Sequence, residues 1–206
     1  MRRLVVLCRH GNTFNAGEKV VMVGAGQDLE LTAVGRAQAV ALGQALKRNG
    51  LIPKRILAGP LCRTREFAEI VTELVGLSCG VTIDDRLIEL DYGAWGGLSD
   101  DEIRSQWGDE SLRLWQNDGV RPAGVTFIPS KAQLEREVRE VLSELSTVEG
   151  ISLVVTSNGR LRECARIVGA VPSKVRTGHL SLLELLPSGS WNVICWDCAP
   201  EQLAAI

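Results

Sequence analysis

The chain has 206 residues, enough for one domain with a single sizeable core. Charged residues make up 23% and the formal net charge is −2, so no global field draws in DNA, RNA or acidic lipid. Any anion must therefore be held by a local cluster of cations, and no segment is apolar for long enough to cross a bilayer.

Met1-Arg2-Arg3 and the short apolar stretch after it faintly resemble a secretory leader, but the stretch runs into Arg9 and His10 with no small-residue cleavage site. The expectation is a soluble, cytoplasmic, single-domain protein over residues 1–206, with no nucleic-acid or membrane partner. Cysteines 8, 62, 79, 164, 195 and 198 are scattered and lack a disulfide-framework spacing. Cys195-Trp196-Asp197-Cys198 is a lone C-x-x-C with no second pair, so buried thiols are expected rather than zinc.

In chain order, Leu4-Val5-Val6-Leu7-Cys8 has the length and β-branched content of a buried strand. A loop over Gly17–Gln27 follows, read as mobile and able to fold over a pocket. Thr32 then reads as an N-cap, with Val34, Ala37, Ala41, Leu42 and Leu46 at helical spacing and a stop at Asn49-Gly50. Pro53 to Ala58 is a second strand, and Gly59-Pro60 opens a helix with proline in its first turn. Val81-Thr82-Ile83 is a short strand. Residues 86–129 form an irregular cap with short helices at most. Ser99 to Glu102 has capping-box spacing, as does Ser130 to Gln133 ahead of a helix reaching about Val148. Ile151 to Thr156 is a buried strand followed by another helix. Leu180–Leu186 and Trp191–Trp196 read as a terminal hairpin. This alternation predicts an α/β fold in three layers, a mostly parallel sheet flanked by helices.

Strand ends carry the chemistry. Arg9-His10-Gly11 follows the first strand, where a glycine lets backbone N–H groups approach a ligand. Arg63 opens the helix after the second strand, where the helix dipole also favours an anion. Glu89 sits at the mouth of the irregular segment, beside Asp84, Asp85 and Asp91 as competing carboxylates. Ser157 follows the strand that ends at Thr156. Cations, an imidazole and bare amides at strand ends suit phosphate.

Arg9-His10-Gly11-Asn12-Thr13, Leu31 to Ala39, Pro60-Leu61-Cys62-Arg63-Thr64, and Glu89 with Gly93 and Trp95 stand in one order that resembles the histidine phosphatase superfamily, with its phosphoglycerate-mutase-like fold. The resemblance implies a phosphohistidine on His10, with Arg9 and Arg63 holding the phosphoryl oxygens and keeping the imidazole neutral. Glu89 would protonate the leaving oxygen and then take a proton from water, with no metal and no cofactor. Asn12, Ser157 and the Asn158 amide are the further phosphate-binding candidates it implies.

The sequence also departs from the family. Thr156-Ser157-Asn158-Gly159-Arg160 stands where a Thr-His-Gly-Gly turn is usual, so Ser157 takes the place of a second histidine. A serine hydroxyl donates one hydrogen bond and brings no charge, and losing one such donor costs about 10²–10³ in rate. His179, the only other imidazole, is the candidate to restore that group from a different strand. Asn15 lies one residue before the family's asparagine, a place filled here by Ala16, and Gly96 replaces an acidic residue after Trp95. Arg160 and Arg162 read either as added positive charge at the pocket rim or, the commoner outcome for helix arginines, as solvated side chains. Tyr92, Trp95, Trp107 and Trp115 read as packing of the cap or as a wall for a ring-bearing leaving group.

The implied activity is hydrolysis of a phosphomonoester, small or on a phosphorylated protein side chain. The alternatives are a phosphate-ligand binding protein with decayed catalysis and, behind it, a phosphoglycerate mutase.

Overall fold

A computed structural model describes residues 2–77, 80–171 and 174–205. Six strands form one sheet: β1 (Arg3–Arg9), β2 (Arg55–Ala58), β3 (Thr82–Ile83), β4 (Gly150–Thr156), β5 (Leu180–Leu185) and β6 (Trp191–Cys198). Their spatial order is β3-β2-β4-β1-β5-β6. The four strands from β3 to β1 are parallel, whereas β5 and β6 run antiparallel. The mixed α/β sheet flanked by helices is the expected class, and the hairpin supplies its antiparallel edge.

The helices are α1 (Ala33–Arg48), α2 (Cys62–Val75), α3 (Asp100–Trp107), α4 (Asp109–Asp118), α5 (Lys131–Ser146) and α6 (Asn158–Val168). Side chains alternate across the sheet, and β1 shows how. Leu4, Val6 and Cys8 enter a core with α1 and α2, while Val5 and Leu7 enter the opposite core with α5, α6 and the cap. Two cores on one sheet make three layers.

Local chemistry explains the helix ends. Thr32 accepts from the Gly35 amide, as an N-cap should. Ser99 and Glu102 form both halves of a capping box. Ser130 forms only one half, because the Gln133 side chain turns to Glu137. Pro60 stands outside α2 rather than in its first turn, since the helix begins at Cys62 after Leu61. Leucine cannot cap, and the Asp28 carboxylate reaches across to accept from the Cys62 amide at 2.7 Å.

Parallel register aligns three strand ends. Arg9 is level with Thr156, and Ala58 with Val155. His10, Gly59 and Ser157 therefore emerge along one edge, where an open α/β sheet gathers ligands. Gly11 and Gly35 meet there so closely that a Cβ on Gly11 would strike the Gly35 carbonyl oxygen. That contact pins the strand end to the start of α1.

Among the described residues, no helix is long and apolar enough to cross a membrane, and no cluster of three or more His, Cys, Asp or Glu could hold a metal. Cys8, Cys62, Cys164, Cys195 and Cys198 are free thiols, and Cys79 lies outside the described residues.

Candidate active site

A cavity of about 1060 Å³ opens at these strand ends. Arg9, His10, Asn12, Arg63, Glu89 and Asn158 all line it. The loop expected over the pocket forms one wall, with Met22 bonded to Leu98 and Gly97, and Ala25 to Leu90. A smaller depression of about 370 Å³ around Arg2, Arg3 and Glu184 holds no such cluster.

His10 is 7% exposed, and its Nδ1 lies 2.8 Å from the Gly11 carbonyl oxygen. Burial pushes its pKa well below the ordinary histidine range, and the charges of Arg9 and Arg63 push it further. A carbonyl can only accept, so Nδ1 of the neutral ring carries the proton. Nε2 is left with its lone pair.

Arg9 donates to the Val175 carbonyl at 2.7 Å and keeps a buried Nε with no partner. Arg63 donates to the carbonyls of Gln27 and Gly24, each at 2.8 Å, and so fastens the overlying loop. Burial lowers the pKa of both arginines, and Glu89 is the strongest opposing influence on each. Glu89 itself is buried, and its Oε1 accepts from the Leu90 amide at 2.8 Å and the Gly159 amide at 3.1 Å. A Cβ at Gly159 would strike that carboxylate and the Leu90 side chain, so glycine leaves Glu89 undisturbed here.

Asn12 is braced through its amide to Gln38 at 2.8 Å, and its carboxamide oxygen accepts from the Thr177 hydroxyl. The Asn158 oxygen accepts from the Val175 amide at 2.9 Å, leaving its NH₂ as the free donor group. Ser157 is fully buried beside His10 in the strand register, and its Oγ has no partner. The structure does not bring His179 to the cavity. Its ring Nδ1 lies 3.0 Å from the Asp197 carbonyl oxygen and 3.2 Å from the Asp197 carboxylate, which turns the imidazole toward the β6 edge.

Arg160 and Arg162 are not solvated. Arg160 is 2% exposed, pairs with Glu137 and donates to Ile88. Arg162 lines the cavity, donates to the carbonyls of Trp115 and Gln116, and stacks on the Trp115 ring at 5.1 Å. Helical spacing alone could not show that this face of α6 meets the cap. Lys174 also lines the cavity and was missed as a site residue. Tyr92 lies against Glu89, and burial raises its pKa well above the ordinary tyrosine value. Tyr92, Trp95, Trp115 and Phe127 pack edge to face at 5.0–5.8 Å, with Trp107 against Trp95 at 6.2 Å. Packing of the cap accounts for them, although Tyr92 and Trp115 also face the cavity.

Residues 5–197 match the family model of the histidine phosphatase superfamily, branch 1. The chain belongs to that superfamily. It is 31% identical over 182 residues to a 2,3-bisphosphoglycerate-dependent phosphoglycerate mutase of Methylobacterium sp. (strain 4-46), covering 86% of each chain. Among solved structures it is similar to a mycobacterial hydrolase at 25% identity and a TM-score of 0.80, covering 97% of this chain and 100% of that one. A mycobacterial glucosyl-3-phosphoglycerate phosphatase in complex with VO3 gives 25% identity and a TM-score of 0.78, covering 95% and 99%.

Proposed function

We propose that this protein is a metal-independent phosphatase that hydrolyses phosphomonoesters through a phosphohistidine on His10. The observation that carries this reading is a buried, neutral imidazole whose Nδ1 proton is committed to Gly11, in a cavity also lined by Arg9 and Arg63. Nε2 attacks phosphorus as the ester P–O bond breaks, and Glu89 gives its proton to the leaving oxygen. Water then attacks the phosphohistidine and loses a proton to Glu89, while the N–P electron pair returns to Nε2. Arg9 and Arg63 hold the phosphoryl oxygens with charge-assisted hydrogen bonds. The Asn158 NH₂ is the donor at the second strand end, since Ser157 is fully buried and does not line the cavity, and the place of His179 against Asp197 leaves it no part. The likeness to a phosphatase solved with VO3 supports the reading.

A mutase is the second reading, favoured by the names of curated relatives such as the Methylobacterium enzyme. Two assays separate them: release of inorganic phosphate from p-nitrophenyl phosphate, and interconversion of phosphoglycerate isomers primed by the bisphosphate. Acid-labile, base-stable phosphate should appear on the intact protein and vanish in His10→Asn. Phosphate release with no trapped phosphate at His10 would overturn the covalent route, and tight phosphate binding with neither activity would indicate a binding protein.

A further inference from the structure

The segment over residues 175–178, between α6 and β5, touches the site from behind. The Val175 carbonyl accepts from Arg9 at 2.7 Å, and the Val175 amide donates to the Asn158 oxygen at 2.9 Å. The Gly178 amide donates to the carbonyls of Arg9 and His10, each at 3.1 Å, and the Arg9 amide donates to the His179 carbonyl. The Thr177 hydroxyl donates to Asn12, and the Thr177 carbonyl accepts from Gln38, the side chain that also takes the Asn12 amide. Arg9, His10, Asn12 and Asn158 thus all lean on one short segment.

Asp197 holds that segment on its far side, and it does not itself line the cavity. Its carboxylate accepts from the Arg176 amide at 2.8 Å and from the Arg176 Nε at 3.0 Å. Its carbonyl accepts from the His179 ring at 3.0 Å and from the Arg176 guanidinium at 3.2 Å. The Arg176 side chain is 65% exposed, so its ion pair adds little. The bond to the backbone amide is the one that fixes the segment.

Asp197 reaches this place because β6 bulges there. Leu180 and Leu182 of β5 pair with Cys198 and Cys195, so three steps on β6 face two on β5. Inside the bulge Asp197 has φ 54°, the one non-glycine residue with positive φ among the described residues. Bulges re-aim side chains, and aspartate and asparagine tolerate this left-handed backbone better than other side chains do. Burial lowers the pKa of Arg9, and Asp197 joins Glu89 and Tyr92 in opposing that shift, so its charge is felt in the site.

We propose that Asp197 is a positioning residue: by taking the Arg176 amide it fixes residues 175–178, and through them the Arg9 guanidinium and the backbone of His10. This rests on the roles given above to Arg9 and His10, and adds a residue that touches neither substrate nor phosphate.

The test compares Asp197→Gly, which suits the left-handed backbone but lacks the carboxylate, with Asp197→Asn, which keeps an oxygen for the Arg176 amide. Vanadate binding by titration calorimetry and kcat/KM for p-nitrophenyl phosphate are measured on the intact protein. In Asp197→Gly the vanadate Kd should rise about tenfold or more and kcat/KM should fall by a similar factor. Asp197→Asn should stay within about threefold of the parent protein in both. A merely structural role would lower the folded fraction, and with it apparent kcat and binding stoichiometry, while KM and the vanadate Kd held. That result, or equal losses in the two variants, would overturn the proposal. Should Asp197→Gly not fold, hydrogen exchange of the unmutated protein decides. Coupling is reciprocal, so vanadate should slow exchange at the Arg176 and Gly178 amides, and unchanged rates there would overturn the proposal. Failure of the phosphatase reading shows as absent hydrolysis by the unmutated protein, and failure of this one as unchanged vanadate affinity in Asp197→Gly.

Discussion

An imidazole buried between two guanidinium groups has little room to become cationic, and at His10 burial and both arginines act in the same direction. The ring stays neutral in the folded protein at pH values where a free histidine would take up a proton. As pH falls below about 6.5, the unfolded chain binds a proton that the folded chain refuses, so this residue's contribution to stability is lost toward acid. NMR of the His10 ring should show no titration between about pH 8 and pH 6. A midpoint at the ordinary histidine value would contradict the buried geometry. At this scale the sequence was legible where chemistry sits directly on a strand end, as for Arg9 and His10. It was illegible where side-chain direction decides, as for His179, whose ring turns to Asp197, and for Arg160, whose guanidinium is buried against Glu137.

Helix α6 links two parts of the site through its first turn. The Gly159 amide holds Glu89, and the neighbouring Asn158 reaches Val175. Gly159→Ala would drive a methyl group into the carboxylate and the Leu90 side chain. In the proposed mechanism this displaces Glu89 from the leaving oxygen, and hydrolysis of an alkyl phosphate should fall by about 10² or more. The loss with p-nitrophenyl phosphate should be much smaller, because p-nitrophenolate departs without a proton. Equal losses on both substrates would point to general disruption instead. Caps such as Thr32 and Ser99 were readable in advance because their bonds are local. The start of α2 was not, since its cap comes from Asp28, 34 residues away in sequence.

Across the whole molecule, the cap and the α5–α6 face of the sheet share one apolar core rather than forming separate bodies. Trp95 is fully buried at the joint, in contact with Trp107 and Phe127. Trp95→Ala should therefore lower global stability by about 3–5 kcal/mol. Urea unfolding followed by circular dichroism checks this, and an unchanged midpoint would mean the cap opens independently of the sheet. The layer order was legible from alternating strand and helix patterns. The cap's two helices were only outlined, because their apolar positions answer to one another and not to a regular sheet.

Arg63 joins these levels through its two bonds to the Gly24 and Gln27 carbonyls. In the proposed mechanism the guanidinium that meets an incoming anion is the same one that tethers this loop. Anion binding and the placement of this loop are therefore linked through one side chain: a shift of the Arg63 guanidinium would be felt by the backbone at Gly24 and Gln27. A shorter or singly forked replacement would slacken the loop and the grip on phosphate together, and affinity measured at this position would report both at once.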